Sequence, residues 1–520
     1  MYPKRAAALL IAFILMMSAI TVRLFYISMG ALPNLDTHTA YTQYSRTRTV
    51  SSKRGFIYDR NFLPLAGVHT GWLGIIDHAD FDYAGQGESL CEAAGISAEQ
   101  LQEFRSAGVP FVLPMKKNIT SSSVYCLPTF VRRAESTAAH LIGYLDGSGQ
   151  AVCGLEEAYD SLLTTFGGKL SLTYQVNAVG KQLGNSTLIL TDSNYHSAGG
   201  IVTTLDSNLQ RKIEKIGPER GAIVISDIST GHILASASFP SFDVGHVADY
   251  LDSEEGNLTN RAALCHTPGS LFKIITAAAA LESELFSPDW TIECTGEACY
   301  GGFPHGVVDM AAALAQSCNA YFQALTARIG GECVREMAQR FGIGRGETID
   351  GISRGAGSID EKSTANLAIG QGGTVISPYE MLTVISIVAN GGVELPLSLV
   401  WGICDDNGVF TPWQTEGRQV IPAQNAETLC AMLRGVITNG IGGAACPTDH
   451  LTADVGGKTA TAQSGQRSPD GGELLHTWFA GFCENYAIVV FCEGSGGAAE
   501  IFSKCADLVL EQQHNPLPSF

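Results

Sequence analysis

An uncharged apolar segment close to the N-terminus constrains this chain more than any other feature of its sequence. Residues 6–22 carry no charged side chain, and Arg23 and Tyr26 follow them. The uncharged run exceeds the roughly 7–15 apolar residues of a secretory signal peptide, and basic and aromatic residues at its end are typical of the membrane interface. We therefore predict a transmembrane signal anchor over residues 6–28.

The charges before this segment predict its orientation. Lys4 and Arg5 lie within residues 1–5, and basic residues favour the cytoplasmic side of a membrane. The sequence thus predicts a single-pass protein of the cell membrane, with residues 1–5 as a cytoplasmic tail, the lipid bilayer as a partner and the remainder outside the cytoplasm. A cleaved signal peptide that ends near residues 28–30 is the alternative, and a buried core helix is disfavoured so close to the N-terminus.

Composition indicates a folded chain of several domains. At roughly 150 residues for each domain, 520 residues suggest two to four units. Hydrophobic residues make up 45% and charged residues 16%, against about 25% charged in an average protein, which argues against extensive disorder. The formal charge of −19 would repel a phosphate backbone, so nucleic acid is not expected as a partner.

Fourteen cysteines on the outer side of a membrane would normally indicate disulfides. Most of them stand alone in the sequence, and Cys294 and Cys299 are the one close pair, which could form a disulfide. Scattered buried thiols in a host that lives without oxygen explain the others equally well. No repeated C-x-x-C pattern indicates zinc, and we predict neither a metal ion nor a cofactor.

The pattern of apolar and polar segments changes near residue 200. Residues 30–195 carry no catalytic constellation and are predicted to form an extended, β-rich, non-catalytic scaffold for dimerisation or as a pedestal. Residues 200–520 predict an α/β domain: a hairpin over 221–238, a strand pair over 478–492 and a helix over 500–511. Strands at both ends with helices between them predict one mixed sheet, assembled from distant segments and flanked by helices.

The first catalytic signal is a Ser-x-x-Lys pattern at Ser270 and Lys273. Pro268 and Gly269 followed by an Ala/Ile/Leu run predict a helix start near Ser270, which places both side chains on one helical face, within hydrogen-bond reach. A lysine among apolar neighbours loses part of its preference for the charged form, so its neutral amine can act as a base for the serine hydroxyl. Alone, this pattern also fits a helix cap with a snorkelling lysine.

Two further motifs follow in order along the chain. Ser317-Cys318-Asn319 comes second, and Lys458-Thr459-Ala460-Thr461 comes third. Each has an ordinary explanation by itself: small polar residues at a helix end, and an edge strand. The three patterns in this order are hard to obtain by coincidence.

With these motifs the chain resembles the penicillin-binding proteins, and within them the class B, monofunctional peptidoglycan D,D-transpeptidases. The resemblance covers nearly the whole chain and implies the serine penicillin-recognising transpeptidase fold. Looser matches, in the order expected for the family, are Lys53-Arg54-Gly55 with Asp59-Arg60-Asn61, Gly154-Leu155-Glu156 with Tyr159-Asp160, Gly370-Gln371-Gly372 with Pro378, Ala389-Asn390-Gly391-Gly392, and Trp478-Phe479 with Gly481.

The resemblance implies acyl transfer through a serine ester. Ser270 would attack the carbonyl of the penultimate D-alanine of a peptidoglycan stem peptide, with Lys273 as the general base and Ser317 relaying a proton to the leaving D-alanine. An amine of a neighbouring stem peptide would resolve the acyl-enzyme into a cross-link. β-Lactams would imitate the D-Ala-D-Ala end and trap Ser270.

The remaining roles are also implied by the resemblance. Asn319 would orient the amide of the donor peptide, and Lys458 would complete the positive environment. The hydroxyls of Thr459 and Thr461 would hold the terminal carboxylate of the substrate. The backbone N–H groups of Ser270 and Thr461 would form the oxyanion hole.

The chain departs from the family pattern at two positions. Cys318 occupies the middle of the second motif and is expected to point into the domain. Ala460 replaces the usual glycine of the third motif and, by strand alternation, shares a face with Lys458. We hypothesise that its methyl group narrows the cleft and slows acylation by bulky β-lactams.

Other classes of protein fit less well. A class A β-lactamase would need a Glu-x-x-Leu-Asn deacylating segment, which the sequence lacks. The non-enzymatic alternative is a membrane-anchored β-lactam sensor or an inactive scaffold. A sensor would need a cytoplasmic or multi-span signalling portion, whereas only residues 1–5 precede the span. A bifunctional class A protein would need room for a glycosyltransferase domain. Class B proteins resemble one another in working beside a polytopic glycan polymerase, which is the expected protein partner.

Overall fold

The computed structural model describes residues 2–28, 44–133, 135–184, 187–467, 471–494 and 496–514. Its strands are β1 (Ser45–Lys53), β2 (Phe56–Tyr58), β3 (Pro64–Ala66), β4 (Val68–Ile76), β5 (Phe111–Met115), β6 (Val124–Val131), β7 (Gly168–Gln175), β8 (Ile189–Ser193), β9 (Gly200–Thr203), β10 (Gly221–Asp227), β11 (Ile233–Phe239), β12 (Ile292–Cys294), β13 (Gly306–Val308), β14 (Thr348–Ile349), β15 (Ile352–Ser353), β16 (Val393–Glu394), β17 (Val400–Cys404), β18 (Phe410–Pro412), β19 (Arg418–Gln419), β20 (Val455–Arg467), β21 (Glu473–Cys483) and β22 (Tyr486–Cys492).

The α-helices are α1 (Tyr2–Ser28), α2 (Gly87–Ala94), α3 (Ala98–Ala107), α4 (Ala139–Ile142), α5 (Gly154–Ala158), α6 (Asp160–Thr165), α7 (Ser207–Ile216), α8 (Lys273–Glu282), α9 (Met310–Ala315), α10 (Asn319–Ile329), α11 (Gly331–Arg340), α12 (Thr364–Leu367), α13 (Pro378–Ala389), α14 (Ala423–Thr438) and α15 (Ala498–His514). Short 3-10 helices occupy Val247–Tyr250, Gly269–Phe272, Tyr300–Gly302 and Gly443–Ala445.

The contacts divide the chain into two compact units. The first unit contains Met1–Lys53, His69–Phe130 and Gly168–His196, and the second contains Arg54–Val68, Val131–Gly167 and Ser197–Phe520. The predicted domains at 30–195 and 200–520 stay a prediction, and they do not coincide with these units. Arg54–Val68 and Val131–Gly167 belong to the second unit although they precede residue 200. The change in residue pattern near residue 200 does not reveal these long-range contacts.

The N-terminal apolar segment forms helix α1. Within it, Ala7–Tyr26 spans 20 residues with a mean hydropathy of 2.3, and none of this window is buried. Among the described residues, α1 is the one helix long and apolar enough to cross a membrane. Residues 29 and 30, where the alternative signal peptide would end, lie outside the described residues.

The first unit is β-rich, as predicted. One three-stranded sheet has the order β1-β7-β8 and a second has the order β5-β4-β6. Side chains along β7 alternate between buried and less buried positions, with Leu170, Leu172 and Tyr174 inside. This period of two places one face of the strand on an apolar cluster.

The second unit is organised around a five-stranded sheet of order β11-β10-β22-β21-β20. The predicted hairpin is confirmed as β10 and β11, and the predicted strand pair as β21 and β22, which turn at Glu484 with φ of 50°. Every pairing in this sheet is antiparallel. These five strands are therefore antiparallel, and not the mixed sheet that the sequence predicts. The hairpin of β10 and β11 pairs with the meander of β20, β21 and β22 without a parallel crossover.

Helices cover both faces of the central sheet. On one face, Ile223 and Val490 are buried in a cluster with Phe502 of α15. On the other face, Val224 is buried in a cluster with Ile275 of α8. Adjacent strand residues thus enter opposite cores, which explains why these strands read as continuous apolar runs rather than as alternating ones.

A second sheet of the same unit has the order β18-β17-β9-β2-β3, and β2 pairs with β9 in parallel. Beside it, the carboxylate of Glu156 is fully buried between two arginines. The guanidinium of Arg132 donates to Glu156 Oε2 at 2.9 Å, and Arg54 Nε lies 3.5 Å from the same oxygen. Arg54 and Glu156 belong to two of the looser family matches, Lys53-Arg54-Gly55 and Gly154-Leu155-Glu156. The ion pair therefore gives these two matches a structural role.

We expect Glu156→Gln to lower the free energy of unfolding by about 3–5 kcal/mol, because it leaves the largely buried guanidinium of Arg132 without its counter-charge and leaves Arg54 with Asp160 alone. Urea unfolding followed by tryptophan fluorescence measures the change. The matched control is Glu92→Gln, which removes an exposed partner of Lys117 and should have little effect. A Glu156→Gln variant as stable as the parent would contradict the structural role of this cluster.

Candidate active site

Ser270 lies in a tight turn that leads directly into a buried helix. The turn Gly269–Phe272 is a 3-10 helix, and α8 continues from Lys273. The predicted helix start is confirmed, with the refinement that its first turn is 3-10. Because side chains three apart eclipse one another in a 3-10 helix, Ser270 and Lys273 lie on the same side.

Two glycines allow the close packing around this turn. A Cβ built on Gly269, which has φ of +54°, would lie 3.2 Å from the Cβ of Ala462 in β20. A Cβ built on Gly370, with φ of +65°, would lie 2.4 Å from the carbonyl oxygen of Gly269. The N–H of Gly269 donates to the carbonyl of Gly370 at 3.0 Å. The Gly370-Gln371-Gly372 match therefore marks a loop that holds the serine turn.

Ser317 lies between helices α9 and α10 in an unusual backbone conformation. Its φ of 56° falls in the left-handed region, which few residues other than glycine adopt. The N–H of Ser317 donates to Leu314 at 3.2 Å, and the N–H of Cys318 donates to Ala313 at 2.8 Å. Strain of this kind is typical of functional sites, where the surrounding structure maintains it.

A continuous set of hydrogen bonds joins the first two motifs. Lys273 Nζ donates to Ser317 O at 2.8 Å and to Asn319 Oδ1 at 2.7 Å, and lies 3.1 Å from Ser317 Oγ. Ser317 Oγ in turn donates to Ser270 Oγ at 2.9 Å. Among the described residues no hydrogen bond joins Ser270 to Lys273, which corrects the expectation of direct contact. The hydroxyl of Ser317 lies between them because the amine turns toward the second motif.

The surroundings of Lys273 favour its neutral form. The side chain is fully buried, and burial lowers its pKa to about 7, although the thiols of Cys318 and Cys299 oppose this shift. A neutral amine has two hydrogens and one lone pair. Its two hydrogens satisfy Ser317 O and Asn319 Oδ1, which are acceptors only. The lone pair is then left to face the oxygen of Ser317, so the amine is placed to take the Ser317 proton once that hydroxyl turns away from Ser270.

The third motif lies on β20, the edge strand of the central sheet. Lys458 and Ala460 are buried, Thr459 is half-buried and Thr461 is exposed, which confirms the predicted alternation. Lys458 Nζ donates to Thr459 O at 3.1 Å. Burial and the charge of Lys273 hold the pKa of Lys458 well below its usual range. Lys273 therefore lies close enough to Lys458 to disfavour its charged form.

The backbone of β20 also approaches the serine turn. Thr461 O would lie 3.4 Å from a Cβ built on Gly269, so this carbonyl points to the free edge of the sheet. In an antiparallel strand the N–H and C=O of one residue point to the same edge. The N–H of Thr461 therefore faces the side on which Ser270 lies.

The methyl group of Ala460 is 5% exposed and belongs to the core cluster beneath the serine turn. It therefore supports that turn and does not line an open cleft. We expect Ala460→Gly to change acylation by a small penicillin and by a bulky cephalosporin by equal factors. We also expect it to destabilise the chain by about 1–2 kcal/mol, from the lost methyl group and the added backbone freedom.

The measurement for Ala460→Gly is the second-order acylation rate for both drugs, together with urea unfolding. A selective gain with the bulky drug would instead support the narrower-cleft hypothesis from the sequence. Ala453→Gly, just before β20, is the matched control outside the site.

The structure brings most of the predicted site residues together and adds others. Ser270, Lys273, Ser317 and Asn319 share one hydrogen-bonded network, while Thr459 and Thr461 lie on the opposite face of β20 from Lys458. The sequence reasoning missed the support of the serine turn by Gly370. It also missed a cluster of Cys294, Cys299 and His305 against Cys318. The only sequence signal for that cluster was the close cysteine pair followed by a histidine.

The central sheet and most of its helices lie within the part of the chain that matches a known domain. Residues 221–505 match the penicillin binding protein transpeptidase domain. The chain belongs to this family. The predicted fold is confirmed, and the Ser-x-x-Lys, Ser-x-Asn and Lys-Thr motifs all lie inside the matched region of this penicillin-binding protein.

Individual proteins are similar over longer stretches. The penicillin-binding protein PbpB of Mycolicibacterium smegmatis is 29% identical over 433 residues, which cover 74% of this chain and 64% of PbpB. The peptidoglycan D,D-transpeptidase PbpA of Mycobacterium tuberculosis is 28% identical over 324 residues, which cover 55% of this chain and 64% of PbpA. The chain thus spans just under two thirds of the length of these relatives.

Solved structures share the fold. Penicillin binding protein 3 from Mycobacterium tuberculosis, complexed with aztreonam, superposes with a TM-score of 0.62 at 24% identity, covering 91% of this chain and 98% of that one. A chain of a peptidoglycan synthase complex superposes with a TM-score of 0.68 at 21% identity, covering 99% of both chains.

Proposed function

We propose that this penicillin-binding protein is a class B, serine-type D,D-transpeptidase that cross-links peptidoglycan stem peptides and is acylated by β-lactams. The observation that carries the proposal is the hydrogen-bonded series from Ser270 through Ser317 to Lys273. A buried amine at one end and a serine hydroxyl at the other are the parts that nucleophilic acyl transfer needs.

Acylation begins with attack of Ser270 Oγ on the carbonyl carbon of the penultimate D-alanine. For this transfer the hydroxyl of Ser317 turns from Ser270 toward the neutral amine of Lys273, which reverses the direction of both hydrogen bonds. The proton of Ser270 then passes to Ser317 Oγ, and the proton of Ser317 passes to the amine. The carbonyl oxygen gains negative charge, which the N–H groups of Ser270 and Thr461 stabilise. When the C–N bond breaks, the proton returns through Ser317 to the nitrogen of the leaving D-alanine.

The second step restores the enzyme. An amine from a neighbouring stem peptide attacks the ester, forms the new amide and returns the Ser270 hydroxyl. A β-lactam enters the first step in the same way, but its ring opens without releasing the leaving group, which remains attached to the acyl portion. The adduct on Ser270 therefore persists.

The other motif residues bind the donor peptide in this proposal. The Thr459 and Thr461 hydroxyls lie on the outer face of β20 and hold the terminal carboxylate, while Lys458 lies on the buried face and completes the positive environment when it takes up a proton. Asn319 Nδ2 now donates to Ala298 O at 3.2 Å. To orient the donor amide, Asn319 would exchange this bond for one to the substrate.

The proposal includes a location and a partner. Helix α1 anchors the chain as a single span, with Lys4 and Arg5 keeping its N-terminal end in the cytoplasm and the catalytic unit outside. The superposition with a chain of a peptidoglycan synthase complex supports a polytopic glycan polymerase as the partner. Helix α1 and the β-rich first unit are the proposed contact surface.

The experiment supplies the detergent-solubilised chain with a synthetic stem peptide that ends in D-Ala-D-Ala and with a D-amino acid as acceptor. We expect release of D-alanine together with an exchange product that carries the acceptor. Hydrolysis without exchange would overturn the transpeptidase assignment in favour of a hydrolase. Acylation by penicillin without either product would assign the chain to the β-lactam sensors.

A further inference from the structure

Three thiols and an imidazole converge directly beside the second catalytic motif. The four ligand atoms of Cys294, Cys299, His305 and Cys318 all lie within 4.8 Å of one another. Cys294 Sγ is 3.6 Å from Cys299 Sγ and 3.3 Å from His305 Nδ1, and Cys299 Sγ is 3.8 Å from Cys318 Sγ. All three cysteines are buried.

The loop between β12 and β13 shapes three of these positions. Cys294 ends β12, and His305 immediately precedes β13. Gly296 has φ of +92°, and the N–H of Cys299 donates to its carbonyl at 2.9 Å. The loop therefore brings two thiols and one imidazole nitrogen close together.

The distances fit a tetrahedral metal ion. With zinc–sulfur bonds of about 2.3 Å and zinc–nitrogen bonds of about 2.0 Å, tetrahedral geometry places two sulfurs about 3.8 Å apart and a sulfur and nitrogen about 3.5 Å apart. The three observed separations lie within a few tenths of an ångström of these values. Three cysteines and one histidine are a ligand set of structural zinc sites, and thiolates disfavour magnesium and calcium.

We propose that Cys294, Cys299, His305 and Cys318 bind one structural Zn²⁺ ion, and that this ion holds the turn that carries Ser317 and Asn319. Each cysteine loses its proton to solvent on binding, and the neutral imidazole of His305 supplies a nitrogen lone pair. All four protein ligands are present, so the ion has no open position for water and takes no part in the acyl transfer.

Cys318 connects the metal site to catalysis. It lies between Ser317 and Asn319 in the chain, so a bond from its sulfur to zinc fixes the backbone on which both side chains depend. Ser317 has the left-handed conformation described above, and Asn319 Nδ2 donates to Ala298 of the ligand-bearing loop. Cys318 is thus a residue that positions Ser317 and Asn319. This interpretation rests on the proposed function.

A disulfide between Cys294 and Cys299 is the competing chemistry. It would use two of the sulfurs and would leave the buried thiol of Cys318 and the ring of His305 beside them without a function. The zinc site uses all four groups. It also gives a reason for cysteine in the middle of the Ser-x-Asn motif.

The first test measures metal in the full chain carrying Ser270→Ala, which cannot form an acyl-enzyme, so the outcome is independent of the proposed function. We expect one zinc per chain by mass spectrometry of the purified protein. Cys299→Ser and His305→Ala should each lower the retained zinc by at least about tenfold. Cys404→Ser, which removes a buried thiol elsewhere, should retain it. Replacement by Co²⁺ should give the sulfur-to-metal absorption of a tetrahedral thiolate site.

The second test measures the role of the ion. Removal of zinc from the parent chain with a strong chelator should slow acylation by a fluorescent penicillin at least about tenfold, and added Zn²⁺ should restore the rate. Absence of bound metal, with a Cys294–Cys299 disulfide or three free thiols in the peptide map, would overturn the site. One zinc per chain with acylation unchanged after its removal would overturn the positioning role.

Discussion

Replacement of Lys273 by arginine is expected to slow acylation by β-lactams at least about 10³-fold. Arginine carries a fixed positive charge and can still donate to Ser317 O and Asn319 Oδ1. It cannot be deprotonated near neutral pH, so it has no lone pair to take the proton that Ser317 passes on. The substitution therefore separates the role of the charge from the role of the base.

The measurement is the second-order rate of acylation by a fluorescent penicillin, with Lys362→Arg, an exposed lysine, as the matched control. A loss of less than tenfold in Lys273→Arg would mean that another group accepts the proton. Unfolding of both variants by urea separates a catalytic loss from a loss of structure, because the larger guanidinium must occupy a site where the amine is fully buried.

Local patterns in the sequence predicted the elements that depend on near neighbours. The hairpin over 221–238, the strand pair over 478–492 and the helix after 500 were all recognisable because turn residues separate apolar runs. The order of the three motifs predicted Ser270 and Lys273 as the nucleophile and the base, because that chemistry requires the two groups at a fixed spacing.

Features that depend on packing between distant segments were not predictable in the same way. The antiparallel order of the central sheet depends on strands that are more than two hundred residues apart. The position of Ser317 between Ser270 and Lys273 depends on a left-handed backbone that serine seldom adopts. The cysteine cluster joins a hairpin loop to the start of α10, and only the folded chain brings its four side chains together.

Ser270→Ala should abolish the covalent β-lactam adduct. Ser270 is the serine that both lies in the turn before α8 and accepts the hydrogen bond from Ser317. Alanine fits the same turn, so the fold and the neighbouring residues should be unchanged. A stable adduct requires an ester to the protein, and alanine offers no oxygen to form one.

The most direct measurement is fluorescent-penicillin labelling of the full chain, followed by peptide mapping of the adduct, in the parent, in Ser270→Ala and in the exposed control Ser287→Ala. The account predicts one slowly hydrolysed adduct, on the peptide that contains Ser270, in the parent and in Ser287→Ala, and none in Ser270→Ala. Labelling that persists in Ser270→Ala, or an adduct that maps to another residue, would contradict the account.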